Sequence, residues 1–248
     1  MKIPRLADVA VAVVAVLAVA CSDGRTDLEL ARDAADYNDR ARAIGFYQRH
    51  LVDHPGDFDA RLEYTLLLGE TWAFQGGDPE PILDNLEILF VEEPGNLRIK
   101  ELFAMMLVRQ GQAAAEARRY GEAEAFYLRA ADVHPDVGTA SYHLGVLYEA
   151  QDRQDDAFIA WVAAALKRPP IPDLYLRLGR AYLERGQVDR AVNTLLLVEE
   201  LRGTSTYLIP EANCALARAY LERGDMAAAQ PRYEAANDEC QITGLERT

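Results

Sequence analysis

Arg180-Ala-Tyr-Leu-Glu-Arg-Gly186 returns, residue for residue, as Arg218-Ala-Tyr-Leu-Glu-Arg-Gly224. A seven-residue string repeated within 248 residues directs the search outward, toward a period. Leu144, Gly145, Tyr148, Ala157, Trp161, Ala164 and Pro169 supply it. A shift of 34 lands on Leu178, Gly179, Tyr182, Ala191, Leu195, Val198 and Gly203, and a shift of 38 on Leu216, Ala217, Tyr220, Ala229, Tyr233 and Ala236. Backwards by 34 the same steps give Gly111, Ala114, Ala123, Tyr127, Ala130 and Pro135. Leu30, Ala31, Ala34, Ala43, Tyr47 and Pro55 obey them near the start. Leu68, Gly69, Trp72, Ile82, Leu86, Leu89 and Pro94 obey them with one inserted residue.

The spacing has a mechanical meaning. Each unit is two amphipathic helices joined by a turn, at Gly186-Gln187 or Gly224-Asp225 for instance. A small residue on the first helix (Gly145, Ala217) leaves a gap, and one on the second (Ala157, Ala191, Ala229) allows close backbone approach. Tyr148 and Trp161 pack between helices, and Pro135 or Pro169 ends the second helix, because proline cannot continue one. Six such units resemble the tetratricopeptide repeat over roughly residues 24–243. The resemblance implies an all-α fold, a right-handed α-solenoid of about six helix-turn-helix repeats over residues 28–243, followed by a short tail, 244–248.

Departures from regularity mark special places. Residues 96–103 add about two turns of helix (Leu97, Ile99, Leu102, Phe103) ahead of the third unit. In Gly76-Gly77-Asp78-Pro79-Glu80-Pro81, Asp78 is expected as an N-cap with Pro79 at the first helical position. Thr206-Tyr-Leu-Ile209 is an insertion before the last unit. No linker or composition shift announces a second domain. The final helix, read as Asp225–Glu239, is expected to present its own polar face through Gln230, Arg232, Glu234, Asn237 and Asp238.

The first twenty residues read as an address. Lys2 and Arg5 precede an apolar run, Val9–Ala20, built only of Val, Ala and Leu. Twelve residues rise about 18 Å as a helix, against roughly 30 Å of hydrocarbon, so the run suits a secretory signal better than a span. Leu17-Ala-Val-Ala-Cys21 resembles the lipobox of bacterial lipoproteins, although Asp8 abuts the apolar run and Ala18 stands where Leu is more usual. The resemblance implies a signal peptide over 1–20, lipidation of Cys21 with several acyl chains including palmitate, and a tether over 21–27. With Ser22 rather than Asp after the cysteine, it also implies retention at the outer membrane, facing the periplasm. A single chain holds only reversibly and several hold stably, at about 0.8 kcal/mol per buried CH₂.

Composition narrows the function. Lys and Arg total 26 against 40 Asp and Glu, a net charge of −14, which repels phosphate backbones and excludes nucleic acid as a partner. Ala, Leu, Arg and Glu dominate and β-branched runs are almost absent after residue 20, which favours helix. His50 and His54 stand four apart, but no Glu follows His50 in the zinc-protease pattern. His54-Pro55 and His134-Pro135 occupy equivalent places, as helix C-terminal residues suited to the dipole. There is no phosphate loop and no Gly-x-Ser-x-Gly elbow. No catalytic residue, metal site, cofactor or small-molecule substrate is expected.

Binding remains. In tetratricopeptide repeats the first helices line a concave groove for extended peptides or partner helices. The resemblance therefore points to Arg32, Gln112, Val146, Arg180 and Arg218, each directly after the small step. The chaperone subclass clamps a terminal carboxylate with Lys and Asn, and neither occurs at these five positions. Arg180 and Arg218 are either a basic rung pair or intrahelical partners of Glu184 and Glu222. The expected role is an envelope interaction scaffold binding other envelope proteins, akin to pilotin-like pilus-assembly or β-barrel-assembly accessory lipoproteins. A self-associating structural protein or an envelope metalloenzyme are the alternatives. Antiparallel final helices over about 210–223 and 225–239 bring Cys214 near residues 235–240, so Cys214 and Cys240 are a candidate disulfide or a pair of buried fillers.

Overall fold

The computed structural model describes residues 24–201, 209–236 and 240–245. The leader 1–20, Cys21, Ser22 and the insertion residues Thr206–Leu208 lie outside the described residues. Among those described, the chain is helical throughout: α1 (Asp27–Asp36), α2 (Arg40–Asp53), α3 (Phe58–Gln75), α4 (Glu80–Glu92), α5 (Leu97–Glu116), α6 (Tyr120–Val133), α7 (Thr139–Glu149), α8 (Gln154–Ala165), α9 (Pro172–Glu184), α10 (Val188–Glu200), α11 (Ile209–Glu222) and α12 (Met226–Glu234). These are helix-turn-helix repeats of the α-solenoid type. The chain falls into two compact units, Met1–Leu102 and Phe103–Thr248, where the sequence shows one unbroken array. The division lies inside α5, so no loop or linker marks it. No described helix is long and apolar enough to cross a membrane.

Local chemistry sets the helix ends. Thr26 and Glu29 form a capping box, Thr26 Oγ1 accepting from the Glu29 N–H at 3.2 Å and Glu29 accepting from the Thr26 N–H at 2.7 Å. Asp39, Asp57 and Asp225 each accept from the N–H three residues on. Asp78 accepts from Glu80 N–H at 3.0 Å, but the cap residue of α4 is Pro79, so this helix starts one residue later than its sequence suggests. Between paired helices one residue turns left-handed: Asn38, Arg118, Asp152, Gly186 and Gly224. Two of these five are glycines, for which a positive φ carries no Cβ penalty.

Five of the helix pairs then lock through one contact. The first-helix glycine faces a large side chain sixteen residues on. A Cβ on Gly111 would run into the Tyr127 ring, and one on Gly179 would stand 2.5 Å from Leu195. On Gly145 it would meet the Trp161 indole. Ala31 with Tyr47, and Ala217 with Tyr233, repeat the spacing and are buried in shared clusters. In the second unit α7 packs on α8, α9 on α10 and α11 on α12. Burying a side chain the size of Trp161, Leu174 or Leu195 stabilises by about 1.5–3 kcal/mol each.

The end of the second unit departs from expectation. The last helix stops at Glu234, not at 239, with Pro231 inside it. Arg232, expected in water, turns inward: it donates to Asn213 Oδ1 at 2.9 Å and pairs with Glu199. Residues 240–245 close the end instead, with Cys240 and Leu245 buried on Ala217, Ala229 and Tyr233, so part of the expected tail is core. A loop can do this because its apolar residues reach the face a further helix would otherwise cover. Asn237 and Asp238 are outside the described residues.

Candidate partner-binding groove

The five sequence-derived groove positions divide by what they touch. Arg32, in the first unit, donates from Nε and Nη2 to the two carboxylate oxygens of Glu63, both at 2.9 Å. Tyr47 adds its hydroxyl to Glu63 at 2.9 Å. The Arg32–Glu63 hydrogen bond raises the Arg32 pKa, and burial followed by the Glu63 carboxylate raises that of the Tyr47 hydroxyl. Arg32 thus ties α1 to α3.

In the second unit Gln112 does the same between α5 and α7. Its Nε2 lies 3.1 Å from His143 Nε2. An amide nitrogen can only donate, so the ring nitrogen accepts and the histidine is neutral. Burial agrees, pushing His143 down to about 4. The ring stacks on Tyr127, centroids 5.5 Å apart. Val146 is half-buried and brings no polar group to the face.

Next along the face, sequence reading missed a tie that carries charge. Arg177 Nε donates to Asp173 at 2.6 Å, and its Nη1 pairs with Glu149. Tyr142 donates its hydroxyl to the same Asp173 oxygen at 2.6 Å. Burial works against the Arg177 charge, yet the two carboxylates prevail and raise its pKa. Burial and then Asp173 raise that of Tyr142. Tyr142 and Asp173 are 31 apart, as are Arg32 and Glu63, and Gln112 and His143. That common offset, 34 less about one helical turn, was the available signal.

Arg180 breaks the series. It is exposed and has no ion-pair partner among the described residues; Glu184, four residues on, does not pair with it. The residue 31 further on is Glu211, whose Oε2 is buried without a hydrogen-bond partner. Arg218 does pair within its helix, Nε to Glu222 at 3.0 Å. Two recesses adjoin at Arg180 and Glu184. One, of about 280 Å³, is lined by Glu149, Asp173, Arg177 and the edge of Trp161. The other, of about 220 Å³, is lined by Leu183, Cys214, Ala215, Arg218, Gln241 and Ile242. Cys214 and Cys240 are bonded, with Cα atoms 5.7 Å apart, inside the span a disulfide requires.

The histidines hold structure. His50 Nε2 lies 2.8 Å from Asp57 and its ring stacks on His54, which follows α2 as its C-cap. No group of three His, Cys, Asp or Glu among the described residues is placed to hold a metal.

Comparison with known proteins places the repeats. Tetratricopeptide-repeat models match residues 108–172 and 173–199. No curated protein matches the chain. Similar solved structures include MamA, at 20% identity over 73% of this chain and 92% of that one, TM-score 0.46. PilF of Pseudomonas aeruginosa is similar at 15% identity over 82% and 85%, TM-score 0.48. A thermophilic tetratricopeptide-repeat protein of Thermus thermophilus is similar at 18% over 79% and 97%, TM-score 0.37. At such values these structures carry no argument about partners. The helix pairs, the sixteen-residue glycine contacts and the matches lead to one conclusion: residues 108–199 of this chain are tetratricopeptide repeats, a fold that serves protein–protein interaction.

Proposed function

We infer that the chain is a membrane-anchored interaction scaffold of a bacterial envelope, exported by residues 1–20 and lipidated at Cys21. The first-helix face of its second unit captures a segment of another envelope protein during pilus, secretion or outer-membrane assembly. The observation that carries the reading is the layout of charge on that face. Gln112, Tyr142 and Arg177 are each bound to a neighbouring repeat, whereas Arg180, between two recesses, has no ion-pair partner among the described residues. On a chain of net charge −14, an accessible guanidinium on an inner face attracts an acidic or polar segment locally while the remaining surface repels it. The scaffold is not expected to be catalytic.

Crosslinking in intact membranes, followed by capture of the protein and mass spectrometry, tests this. Wild type is expected to bring down a defined set of envelope proteins. Arg180→Glu with Arg218→Glu is expected to lose them with helicity unchanged, since both side chains are exposed. An unchanged set refutes the role of this face.

A further inference from the structure

Two aromatic rings stand in water at one end of the first unit. Tyr37, which follows α1, is 82% exposed, and Phe74, one residue before the end of α3, is 78% exposed. The two places lie together. Arg40, the first residue of α2, stacks its guanidinium over the Phe74 ring at 5.2 Å and pairs with Glu70 at 3.5 Å. Trp72, half-buried beside them, donates its indole N–H to Gly77 O at 3.3 Å and closes the glycine turn against the same end. Exposed rings gathered at one edge mark a contact surface.

The chain before α1 is directed toward that edge. Arg25 Nη1 donates to Asp33, eight residues on, at 2.7 Å, so the residues ahead of Thr26 fold back along α1 rather than extending its line. Helix α1 rises about 15 Å over its ten residues. Cys21 stands four residues before Arg25, and four extended residues reach about 13–14 Å. With Arg25 drawn back toward Asp33, Cys21 reaches the level of Tyr37.

We propose that the Tyr37–Phe74 edge rests in the headgroup layer of a zwitterionic phospholipid bilayer and orients the first unit on the membrane that holds Cys21. The proposal rests on the reading that Cys21 is lipidated. Tyrosine suits the boundary between acyl chains and headgroups, its ring in the apolar layer and its hydroxyl in the wet one, and Phe74 adds a second ring. Arg40, beside that ring, faces the lipid phosphates. Asp36, Asp39, Glu70 and Asp78 lie in or beside the same turns, so the edge meets ammonium headgroups and is repelled by an anionic surface. The other end of α1 offers no such pair of rings. There Arg49 on α2 binds Asp27 at 2.9 Å, and Val52, one turn further along α2, is 78% exposed.

The test uses the lipidated full chain in vesicles of phosphatidylethanolamine and phosphatidylcholine. Once Cys21 is acylated and Cys214 is bonded to Cys240, an introduced cysteine is the one free thiol. Gln75→Cys, beside Phe74, and Val52→Cys, at the other end, each carry a nitroxide. Collision of the nitroxide with a water-soluble nickel chelate is expected to be at least threefold lower at 75 than at 52, with the reverse order for oxygen. Tyr37→Ser with Phe74→Ser removes only exposed side chains. It is expected to erase the difference while the acyl anchor and the circular dichroism stay unchanged. Replacing half of the lipid by phosphatidylglycerol is expected to at least halve the shielding at 75. Equal access at 75 and 52, shielding that survives the loss of both rings, or shielding unaltered by phosphatidylglycerol overturns the proposal. If mass spectrometry finds acyl chains on Cys21 and 75 is still as open as 52, the edge fails and the anchor stands. If Cys21 carries none, the anchor reading fails and the proposal with it.

Discussion

Adding one methyl group at Gly145 has an effect that can be worked from the packing. A Cβ there runs into Trp161 Nε1 and Cδ1, closer than non-bonded atoms tolerate. Trp161 is 2% exposed and sits among Ala157, Ala164, Leu174 and Leu178, so the indole cannot swing aside without moving α8 or α9. Overpacking of this kind costs about 1–3 kcal/mol. Alanine in a helix offsets about 0.8–1 kcal/mol of that, because it loses less backbone entropy than glycine. The net is a destabilisation of up to about 2 kcal/mol. Gly45 is the control. It lies within α2 and nothing comes within 4 Å of its Cβ position, so the same substitution is expected to stabilise by about 1 kcal/mol. Thermal unfolding followed by far-UV circular dichroism reads both, at about 2–4 °C per kcal/mol for a chain of this size. Gly145→Ala melting at or above wild type would refute the close-contact account of the repeat.

Further outcomes follow from single residues. Arg118 turns left-handed at φ 58° between α5 and α6, so Arg118→Gly is expected to raise the melting temperature, through a gain of about 1 kcal/mol. His143 is neutral when folded and titrates near 4, against 6.5 when unfolded. The unfolded chain therefore binds its proton first, and the stability His143 confers, present above pH 6.5, is lost as pH falls toward 4. His143→Gln is expected to remove that share of the acid sensitivity, about 3 kcal/mol, in urea titrations across this range. Cys214→Ser opens a loop of 26 residues and is expected to cost about 3–4 kcal/mol by the chain-entropy model, read as earlier unfolding of the unreduced protein. Cys21→Ser is expected to move the protein from the membrane to the soluble fraction and to abolish labelling by palmitate analogues. A membrane-bound, unlabelled wild type would sink the anchor.

The repeat was legible because its period is written in small and large residues whose spacing is dictated by contact. Gly145 must be small since Trp161, sixteen residues on, fills the space above it. The groove was legible only in part. Position after the small step picks out Arg180 and Arg218, but also Arg32 and Gln112, which are bound to the next repeat. Telling them apart needs the partner 31 residues on, and whether Arg180 reaches Glu211 is decided by packing rather than by residue type. Arg177 was missed because it lies one turn before the expected position, in an arrangement with Glu149 and Asp173 that only the stacked helices create. The end of the last repeat was misread for a related reason. Continuing the helical pattern to 239 treats Arg232 as solvated, whereas Glu199 and Asn213 draw it inward and the segment around Cys240 supplies the cover.

The central claim is that a partner lies on the first-helix face of the second unit. Photo-crosslinking amino acids placed one at a time at Val146, at Arg218 and at Ile159 test it most directly in living cells. Ile159 is on α8, a second helix, and is 66% exposed, so it reports on the opposite kind of surface with ample access. The account predicts that Val146 and Arg218 yield the same crosslinked partner and that Ile159 does not. Crosslinks from Ile159 alone would contradict it.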